Sequence, residues 1–223
     1  MRTASLGVGE RLRRAFVPLI DRTAPLGGPL ATAGGVLALG NFADADVEYY
    51  LRKLGQAKRY RLGRGEIREL LHKLAPYQVP QLLRAYLGPL WSADYASIWR
   101  SAQQSSSGEW HHDNVGNRVK LFVILANDSE RNGTEFIVHT NRIRWRSFSG
   151  RLPEPEREAS FLRQQRGDML MFDTNAIHRG RYSAEQRIIL QLEFSSILKS
   201  FVVFGHCGRF FRARLERRFG MNE

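Results

Sequence analysis

Two histidines and an aspartate stand side by side in the stretch "GEWHHDN", residues 108–114. Residues i and i+2 of a β-strand point to the same face of a sheet. His111 and Asp113 can therefore aim an imidazole and a carboxylate at one point, while His112 faces away. Both groups are ligands that divalent transition metals accept. The stretch indicates two ligands of a metal site, with a polar turn as the alternative interpretation.

A third ligand is available further along the chain, in "GDMLMFDTNAIHRGR", residues 167–181. Here a predicted strand, Asp168–Asp173, runs into a loop that carries His178. The separation between Asp113 and His178 leaves room for several strands and a return to the same end of a barrel. Two histidines and one carboxylate on one face of an ion, with the other face open, are typical of non-haem Fe(II) sites.

Two more residues near His178 could take part in such a site. Arg187 stands at the head of the next predicted strand, "QRIILQLEF", and a guanidinium group pairs with a carboxylate through two hydrogen bonds. Arg187 is therefore a candidate for binding the far end of a dicarboxylate, although a surface arginine is the alternative when it is taken alone. Asn175 could orient His178 as a hydrogen-bonding partner, or could simply be a turn residue.

The elements that must position these residues are mostly short strands. After Pro89 five strand-like runs are divided by Gly, Asn and Asp, and they predict an antiparallel sandwich or barrel. The runs are "DYASIWRSAQQ", "NRVKLFVILAND", "GTEFIVHTNRIRW", "DMLMFDT" and "QRIILQLEFSSIL". Before them, "GGVLALGNF" predicts a buried strand, and helices are predicted over "DADVEYYLRKLG", with Asp44 as its N-cap, and over residues 65–75 and 77–87. The predicted fold class is α+β, mainly β.

Composition suggests three regions and constrains the partners. Residues 1–34 are predicted to form an amphipathic arm and linker, residues 35–200 the folded domain, and residues 201–223 a basic amphipathic tail with a helix over 208–219. The net charge of +12 favours anionic partners, including an anionic membrane surface. The single cysteine excludes an internal disulfide, and residues 26–42 are too short and glycine-rich to span a bilayer. We expect a cytoplasmic protein that can lie peripherally at a membrane.

Over roughly residues 35–197 the chain resembles the phytanoyl-CoA dioxygenase-like group of Fe(II)/2-oxoglutarate oxygenases. The resemblance is carried by the order and spacing of several motifs and of Arg187. These motifs are "GGVLALGNFADADV", "EWHHDN", "VKLFVILAND", "RNGTEFIVHTNR" and "RGDMLMFDTNAIHRG". It implies a double-stranded β-helix, that is, a jelly-roll or cupin-like barrel, with the N-terminal helices packed outside and a basic C-terminal helix.

The resemblance also implies a chemistry. His111, Asp113 and His178 would bind Fe(II), and Arg187 would bind the C5 carboxylate of 2-oxoglutarate. Phe122 would lie against this cosubstrate, although core packing explains a strand phenylalanine equally well. With O₂ as the second cosubstrate, the reaction releases succinate and CO₂ and oxidises a C–H bond. Relatives that halogenate lack the carboxylate, so Asp113 favours hydroxylation, desaturation or demethylation.

The substrate residues are less sharply indicated. The family's "PGSHR" turn is here "VHTNR", residues 138–142, and His139 is interpreted as a loop residue. Arg142, Arg144 and Arg146 alternate with apolar residues, and on a strand they would share one face suited to a phosphate, sulfate or carboxylate group. A solvated edge strand protected by charge is the alternative for these arginines.

Four functions are compatible with these features. The leading hypothesis is an Fe(II)/2-oxoglutarate hydroxylase of an anionic or conjugated small molecule, lipid or glycan. A nucleic-acid demethylase or hydroxylase agrees with the charge, but no base-flipping or stacking module is recognisable. The remaining alternatives are a non-catalytic basic β-domain that binds membrane or glycan, and a cupin-like Zn(II) or Mn(II) enzyme in which Arg187 is structural.

Overall fold

The computed structural model describes residues 27–101, 108–113, 118–142, 150–153, 158–183 and 185–196. Within them lie four α-helices: α1 (Gly28–Thr32), α2 (Asp44–Leu54), α3 (Arg64–Leu74) and α4 (Val79–Leu87), and two short 3₁₀ helices, Ala75–Tyr77 and Thr140–Arg142. The strands are β1 (Val36–Asn41), β2 (Arg59–Arg61), β3 (Trp91–Ser101), β4 (His111–His112), β5 (Arg118–Asn127), β6 (Gly133–Ile137), β7 (Gly150–Arg151), β8 (Ser160–Arg163), β9 (Asp168–Asp173), β10 (Ile177–Arg181) and β11 (Arg187–Ser196). The predicted arm and the predicted C-terminal helix lie outside the described residues.

The strands form two antiparallel sheets. One has six strands in the order β1-β9-β5-β11-β3-β2, and the other has five in the order β7-β4-β10-β6-β8. From β3 to β6, and again from β8 to β11, successive strands of the chain alternate between the two sheets. The short β7 is the exception. This arrangement is the double-stranded β-helix, so the predicted jelly-roll fold is confirmed.

The six-stranded sheet is apolar on both faces, but the two faces have different roles. Along β5, alternate side chains point to opposite sides. Val119, Leu121, Val123 and Leu125 pack in the cluster that also contains the helices, whereas Phe122 and Ile124 pack with the interior of the barrel. The register then decides which residues of β11 and β9 share the interior with Phe122, because Gln191 and Leu170 are its cross-strand partners.

Helices α2, α3 and α4 cover the outer face of this sheet, as predicted. Their buried side chains are Val47, Tyr50, Leu54, Leu70, Leu74, Val79, Leu83, Tyr86 and Leu87. Burial of one such leucine stabilises the fold by about 1.5–3 kcal/mol. The cap residue of α2 is Ala43 rather than the predicted Asp44, which is the first helical residue and places a carboxylate near the positive end of the helix dipole. No helix among the described residues is long and apolar enough to cross a membrane.

Two of the segments that differ from the prediction are residues 28–32 and the segment after Ile137. Residues 28–32, expected to be linker, form α1, because Leu30 is fully buried in the core that contains α4. The strand predicted to continue to residue 145 ends at Ile137, and Thr140–Arg142 form a 3₁₀ helix. Arg142 is therefore not part of a strand with alternating arginines; it is exposed, and Arg144 and Arg146 lie outside the described residues.

Gly35 and Gly40 provide a matched test of the packing beneath β1. Both have positive φ, 90° and 91°, but a Cβ at Gly35 would lie 2.7 Å from the Asn141 side chain, whereas nothing lies within 4 Å of one at Gly40. Gly35→Ala is expected to lower the free energy of unfolding by about 1–3 kcal/mol more than Gly40→Ala, because only the former overpacks a buried side chain. Chemical denaturation measures the difference, and equal losses would contradict this packing.

A candidate metal and cosubstrate site

His111, Asp113 and His178 come together where β4 and β10 lie side by side. His111 and His178 are cross-strand partners, and the backbone N–H of Asp113 donates to the carbonyl of Thr174 in the turn before β10. His178 Nε2 lies 3.2 Å from Asp113 Oδ2, and His111 Nε2 lies 3.8 Å from Asp113 Oδ1. One ligand atom from each residue falls within 4.8 Å of the other two. The folded chain thus unites the three predicted ligands.

Both imidazoles present the same nitrogen to this centre. Nδ1 of His111 lies 2.6 Å from the carbonyl oxygen of Glu109, and Nδ1 of His178 lies 2.7 Å from that of Ala176. A carbonyl only accepts, so each Nδ1–H donates and each Nε2 keeps its lone pair for an ion. Burial, with the neighbouring His178, lowers the pKa of His111. A neutral imidazole is the form that binds metal, so the donor set fits a divalent transition ion.

Lys120 completes the charge balance of the cluster, and the sequence analysis did not identify it. Its Nζ lies 2.6 Å from Asp113 Oδ2 and 3.8 Å from a carboxylate oxygen of Glu193. Burial by itself raises the pKa of Asp113, but Lys120 and His178 outweigh it and hold that pKa well below its usual range. Asp113 is therefore anionic, as a carboxylate that holds a metal ion must be. The sequence did contain a signal for this residue. Lys120 stands two residues before Phe122 in an apolar strand, so both side chains point to the interior face.

Asn175 lies in the turn between β9 and β10 and helps to shape it. Its backbone N–H and its side-chain Nδ2 both donate to Asp173 Oδ1, each at 2.8 Å. Tyr86 on α4 also donates to the Asp173 carboxylate, which ties the turn to the helical layer. The same turn contains Ala176, whose carbonyl receives His178 Nδ1. Asn175 is thus placed to orient His178 through the shape of the turn.

Arg187 is buried between the two sheets, with 1% of its surface exposed. Its guanidinium donates to the carbonyl of Gly133 at 2.9 Å, to Thr134 Oγ1 at 3.1 Å and to the side chain of Gln164. Among the described residues its Nε has no hydrogen-bond partner, and no carboxylate forms an ion pair with the guanidinium. Burial lowers the pKa of Arg187 to about 10, so the group stays cationic at neutral pH.

An apolar interior lies between the two sheets, next to both Arg187 and the cluster. It contains Phe122, Ile124, Phe136, Leu170, Phe172 and Ile189. Phe172 lies 5.1 Å from the His178 ring and 5.0 Å from Phe122, measured between ring centroids. Phe122 is therefore both a core residue and part of the wall nearest the cluster. Thr134, beside Arg187, is a second residue that the sequence analysis missed, since nothing local distinguishes one strand threonine from another.

The other histidines near the site lie outside the cluster. His112 is buried on the opposite face of β4, where burial lowers its pKa to about 4. His139 is exposed, has a positive φ of 67° and donates its backbone N–H to Gly34. These positions agree with the interpretation of His112 as the spacer residue and of His139 as a loop residue.

The solved structures that resemble this chain include HygX, SnoN and ThoJ. HygX from Streptomyces hygroscopicus, with nickel, 2-oxoglutarate and hygromycin B bound, is 14% identical over 75% of this chain and 85% of its own, with a TM-score of 0.55. The epimerase SnoN, in complex with Fe³⁺, 2-oxoglutarate and nogalamycin RO, is 15% identical over 82% and 84%, with a TM-score of 0.52. ThoJ, a non-haem monooxygenase in complex with nickel, is 13% identical over 77% of each chain, with a TM-score of 0.52.

No protein-family model matches the sequence, and no curated protein matches it. At these identities the structural likeness defines the fold and not the activity. The chain has the double-stranded β-helix fold of proteins that hold iron or nickel and 2-oxoglutarate, and it carries a His–Asp–His cluster that could hold a metal.

Proposed function

We propose that this protein is an Fe(II)- and 2-oxoglutarate-dependent dioxygenase related to the phytanoyl-CoA dioxygenase-like group. It hydroxylates an unactivated C–H bond of an anionic or conjugated small molecule, lipid or glycan, and releases succinate and CO₂. One observation carries the proposal: Arg187 is a fully buried cation with no carboxylate partner among the described residues, in the same barrel that holds the His–Asp–His cluster.

A buried charge without a counter-ion is costly, so the position of Arg187 favours an anionic ligand. Its guanidinium and Thr134 Oγ1 offer charge-assisted hydrogen bonds to one carboxylate of a dicarboxylate. The other end of 2-oxoglutarate, a 2-oxo acid, is a bidentate metal ligand. A molecule with both ends therefore satisfies Arg187 and the metal together.

His111, Asp113 and His178 would hold Fe(II). When bound, Fe(II), 2-oxoglutarate and O₂ supply the oxidation: one oxygen atom enters succinate, the other enters the C–H bond, and CO₂ leaves. Lys120 holds the second carboxylate oxygen of Asp113, and the aromatic residues of the interior exclude water from the cosubstrate. Because Asp113 occupies its ligand position, the site favours hydroxylation, or a related desaturation or demethylation, over halogenation.

A spectrum of the protein under anaerobic conditions tests this proposal without any substrate. Metal-free protein receives Fe(II) and then 2-oxoglutarate, and the visible absorption is recorded for the wild type, His178→Ala, Arg187→Ala and the control His139→Ala. The wild type and the control are expected to show a weak charge-transfer band from chelated 2-oxoglutarate. His178→Ala is expected to lose the band, and Arg187→Ala to need at least about tenfold more 2-oxoglutarate, since it lacks a charge-assisted bidentate pair.

The alternatives give different results in the same experiment. A non-catalytic domain that binds membrane or glycan shows no metal-dependent binding of 2-oxoglutarate. A Zn(II) or Mn(II) enzyme binds metal, but its spectrum changes with 2-oxoglutarate to the same extent in the wild type and in Arg187→Ala. A nucleic-acid-directed oxygenase shows the band, and also shows steeply salt-dependent binding of random oligonucleotides. Folded wild-type protein without a band at any 2-oxoglutarate concentration would refute the proposed function.

A further inference from the structure

We propose that Arg59 and Arg61, the arginine pair, bind an anionic group of the small-molecule substrate, namely a phosphate, sulfate or carboxylate. This inference rests on the proposed function and deepens it, because it places the anion relative to the bond that reacts. From the spacing of adjacent strands, the anion would lie about 10–15 Å from the metal ligands. The sequence analysis assigned no role to either arginine.

The register places the arginine pair on the interior face of the six-stranded sheet. Arg59 pairs with Trp99 and Arg61 with Ser97 across β2 and β3. Tyr60, between them, points the other way, packs against the helical core and donates to Glu66 at 2.9 Å. Trp99 packs against the apolar interior beside the cluster. The arginine pair therefore faces the same side as the candidate site, on the edge strand of the sheet.

Tyr95 holds the two guanidinium groups together. The carbon atoms of the Arg59 and Arg61 guanidiniums lie 5.4 Å and 5.2 Å from its ring centroid, within cation–π distance. Arg59 also donates to the Tyr95 hydroxyl, which donates to Ser97 Oγ at 2.7 Å. Two like charges on one ring repel each other, and among the described residues no carboxylate forms an ion pair with either. An anion between them would relieve that repulsion.

A continuous row of cross-strand partners connects this place to the metal ligands. Tyr95 pairs with Glu193 across β3 and β11, and Glu193 pairs with Lys120 across β11 and β5. Lys120 Nζ in turn lies 2.6 Å from Asp113. Adjacent strands are about 4.8 Å apart, so Tyr95 is about 10 Å from Lys120. The arginine pair, on the edge strand, joins this row through its contact with the Tyr95 ring.

The surface along this row is open and polar. Trp99, Gln191 and Glu193 are only partly buried, while both arginines are exposed. Trp99 Nε1 donates to Gln191 at 3.2 Å, and Gln191 Nε2 donates to Glu193 at 2.8 Å. Hydrogen-bonding groups next to an indole ring are suited to binding a polar or glycosylated substrate. A substrate lying along the row would thus extend from the anion site to the metal.

Arg118, Arg179 and Arg181 also lie near the barrel, but each is paired with a carboxylate and does not offer the same site. Arg118 is also close to the cluster, but Asp94 and Glu193 lie 3.4 Å and 3.8 Å from it. A cavity of about 520 Å³ is lined by Arg179 and Arg181 among others, and both of these share the Glu135 carboxylate. The arginine pair differs because it places two exposed positive charges side by side, and among the described residues neither forms an ion pair with a carboxylate.

The first test measures anion binding by metal-free protein. Inorganic pyrophosphate is titrated into the wild type, into Arg59→Ala/Arg61→Ala and into Arg52→Ala/Arg68→Ala, and bound pyrophosphate is followed by phosphorus NMR. The control removes the same charge from exposed positions on α2 and α3, on the other side of the sheet. We expect the dissociation constant to rise at least about tenfold in the first variant and less than about twofold in the control. Equal weakening in both variants would show that pyrophosphate binding depends only on the net charge of the protein, and it would overturn the proposal.

The second test measures where the anion lies. In Mn(II)-loaded protein, paramagnetic relaxation of the phosphorus nuclei reports their distance from the metal, and we expect about 10–15 Å in the wild type. Pyrophosphate bound directly to the ion would give a much shorter distance and contradict the inference. If the protein fails to bind Mn(II), the proposed metal site is wrong, while the titration of metal-free protein still tests the arginine pair.

A vesicle assay distinguishes the two sources of a phosphate group. Vesicles of phosphatidylcholine with phosphatidylglycerol are added to the wild type and to Arg59→Ala/Arg61→Ala, and sedimentation measures bound protein. We expect no difference between the two proteins. Loss of vesicle binding in the variant alone would identify a lipid headgroup as the ligand, and the inference of a soluble substrate would then be wrong.

Discussion

Arg187→Met is expected to abolish stabilisation of the protein by 2-oxoglutarate while leaving the metal-free protein at least as stable as the wild type. Arg187 is fully buried, and no described carboxylate compensates its charge. Replacement of a whole buried ion pair by apolar side chains of similar volume is often neutral or stabilising by about 1–4 kcal/mol, and Arg187 lacks the carboxylate partner that would offset its desolvation. In the wild type with Ni(II), 2-oxoglutarate at 100 times its dissociation constant should add about 2.7 kcal/mol.

Denaturant unfolding of both proteins, with and without Ni(II) and 2-oxoglutarate, measures the two effects. Arg64→Met, at an exposed position at the start of α3, is the control and should respond to 2-oxoglutarate like the wild type. A metal-free Arg187→Met protein that is several kcal/mol less stable than the wild type would mean that Arg187 is a structural residue. That outcome would favour a metalloenzyme that does not use 2-oxoglutarate.

Lys120→Met is expected to make the protein less stable without metal and to make it bind Ni(II) more tightly. Without Lys120, Asp113 loses the ammonium that lies 2.6 Å from its carboxylate. Breaking a fully buried pair costs about 3–5 kcal/mol, so we expect a smaller loss, of about 1–3 kcal/mol, for this partly buried pair. A divalent ion can replace that lost charge, and it no longer meets repulsion from a neighbouring cation. We expect the Ni(II) dissociation constant to fall at least about tenfold.

Calorimetric titration with Ni(II) and denaturant unfolding of the metal-free protein measure both effects. Lys120→Arg keeps a cation beside Asp113 and should bind Ni(II) with nearly wild-type affinity. Lys58→Met, at an exposed position, controls for the loss of a charge. Weaker binding of Ni(II) by Lys120→Met would show instead that Lys120 serves mainly to hold Asp113 in place.

The His–Asp–His cluster could be predicted from the sequence because two of its three residues are held together by local strand geometry. Alternation along a strand places His111 and Asp113 on one face, and the structure shows His112 facing away. His178 follows a recognisable buried strand, and antiparallel pairing of β10 with β4 brings it opposite His111. The barrel itself follows from many short strands separated by turn residues. The strands that the sequence did not predict are β2, β7, β8 and β10, because segments of two to five residues are too short to show a clear period.

Two stretches of secondary structure depended on packing that no local sequence pattern reveals. Residues 28–32 contain Gly and Pro and were predicted to be linker, yet Leu30 is buried in the core that contains α4. The alternating arginines after His139 suggested a strand, but the chain turns into a 3₁₀ helix at Thr140–Arg142. In both places tertiary contacts outweighed local propensity.

The sequence by itself predicted the three candidate metal ligands, the candidate role of Arg187 and the class of fold, because these predictions depend on a spacing of two residues or on the order of motifs. Only the tertiary structure decided that Lys120 holds Asp113, that Thr134 lies beside Arg187, and that the arginine pair shares a sheet face with Lys120, which contacts Asp113. The physical reason is register. Which residues of distant strands become neighbours depends on pairing across the whole sheet, and a shift of one residue would turn each of them to the opposite face.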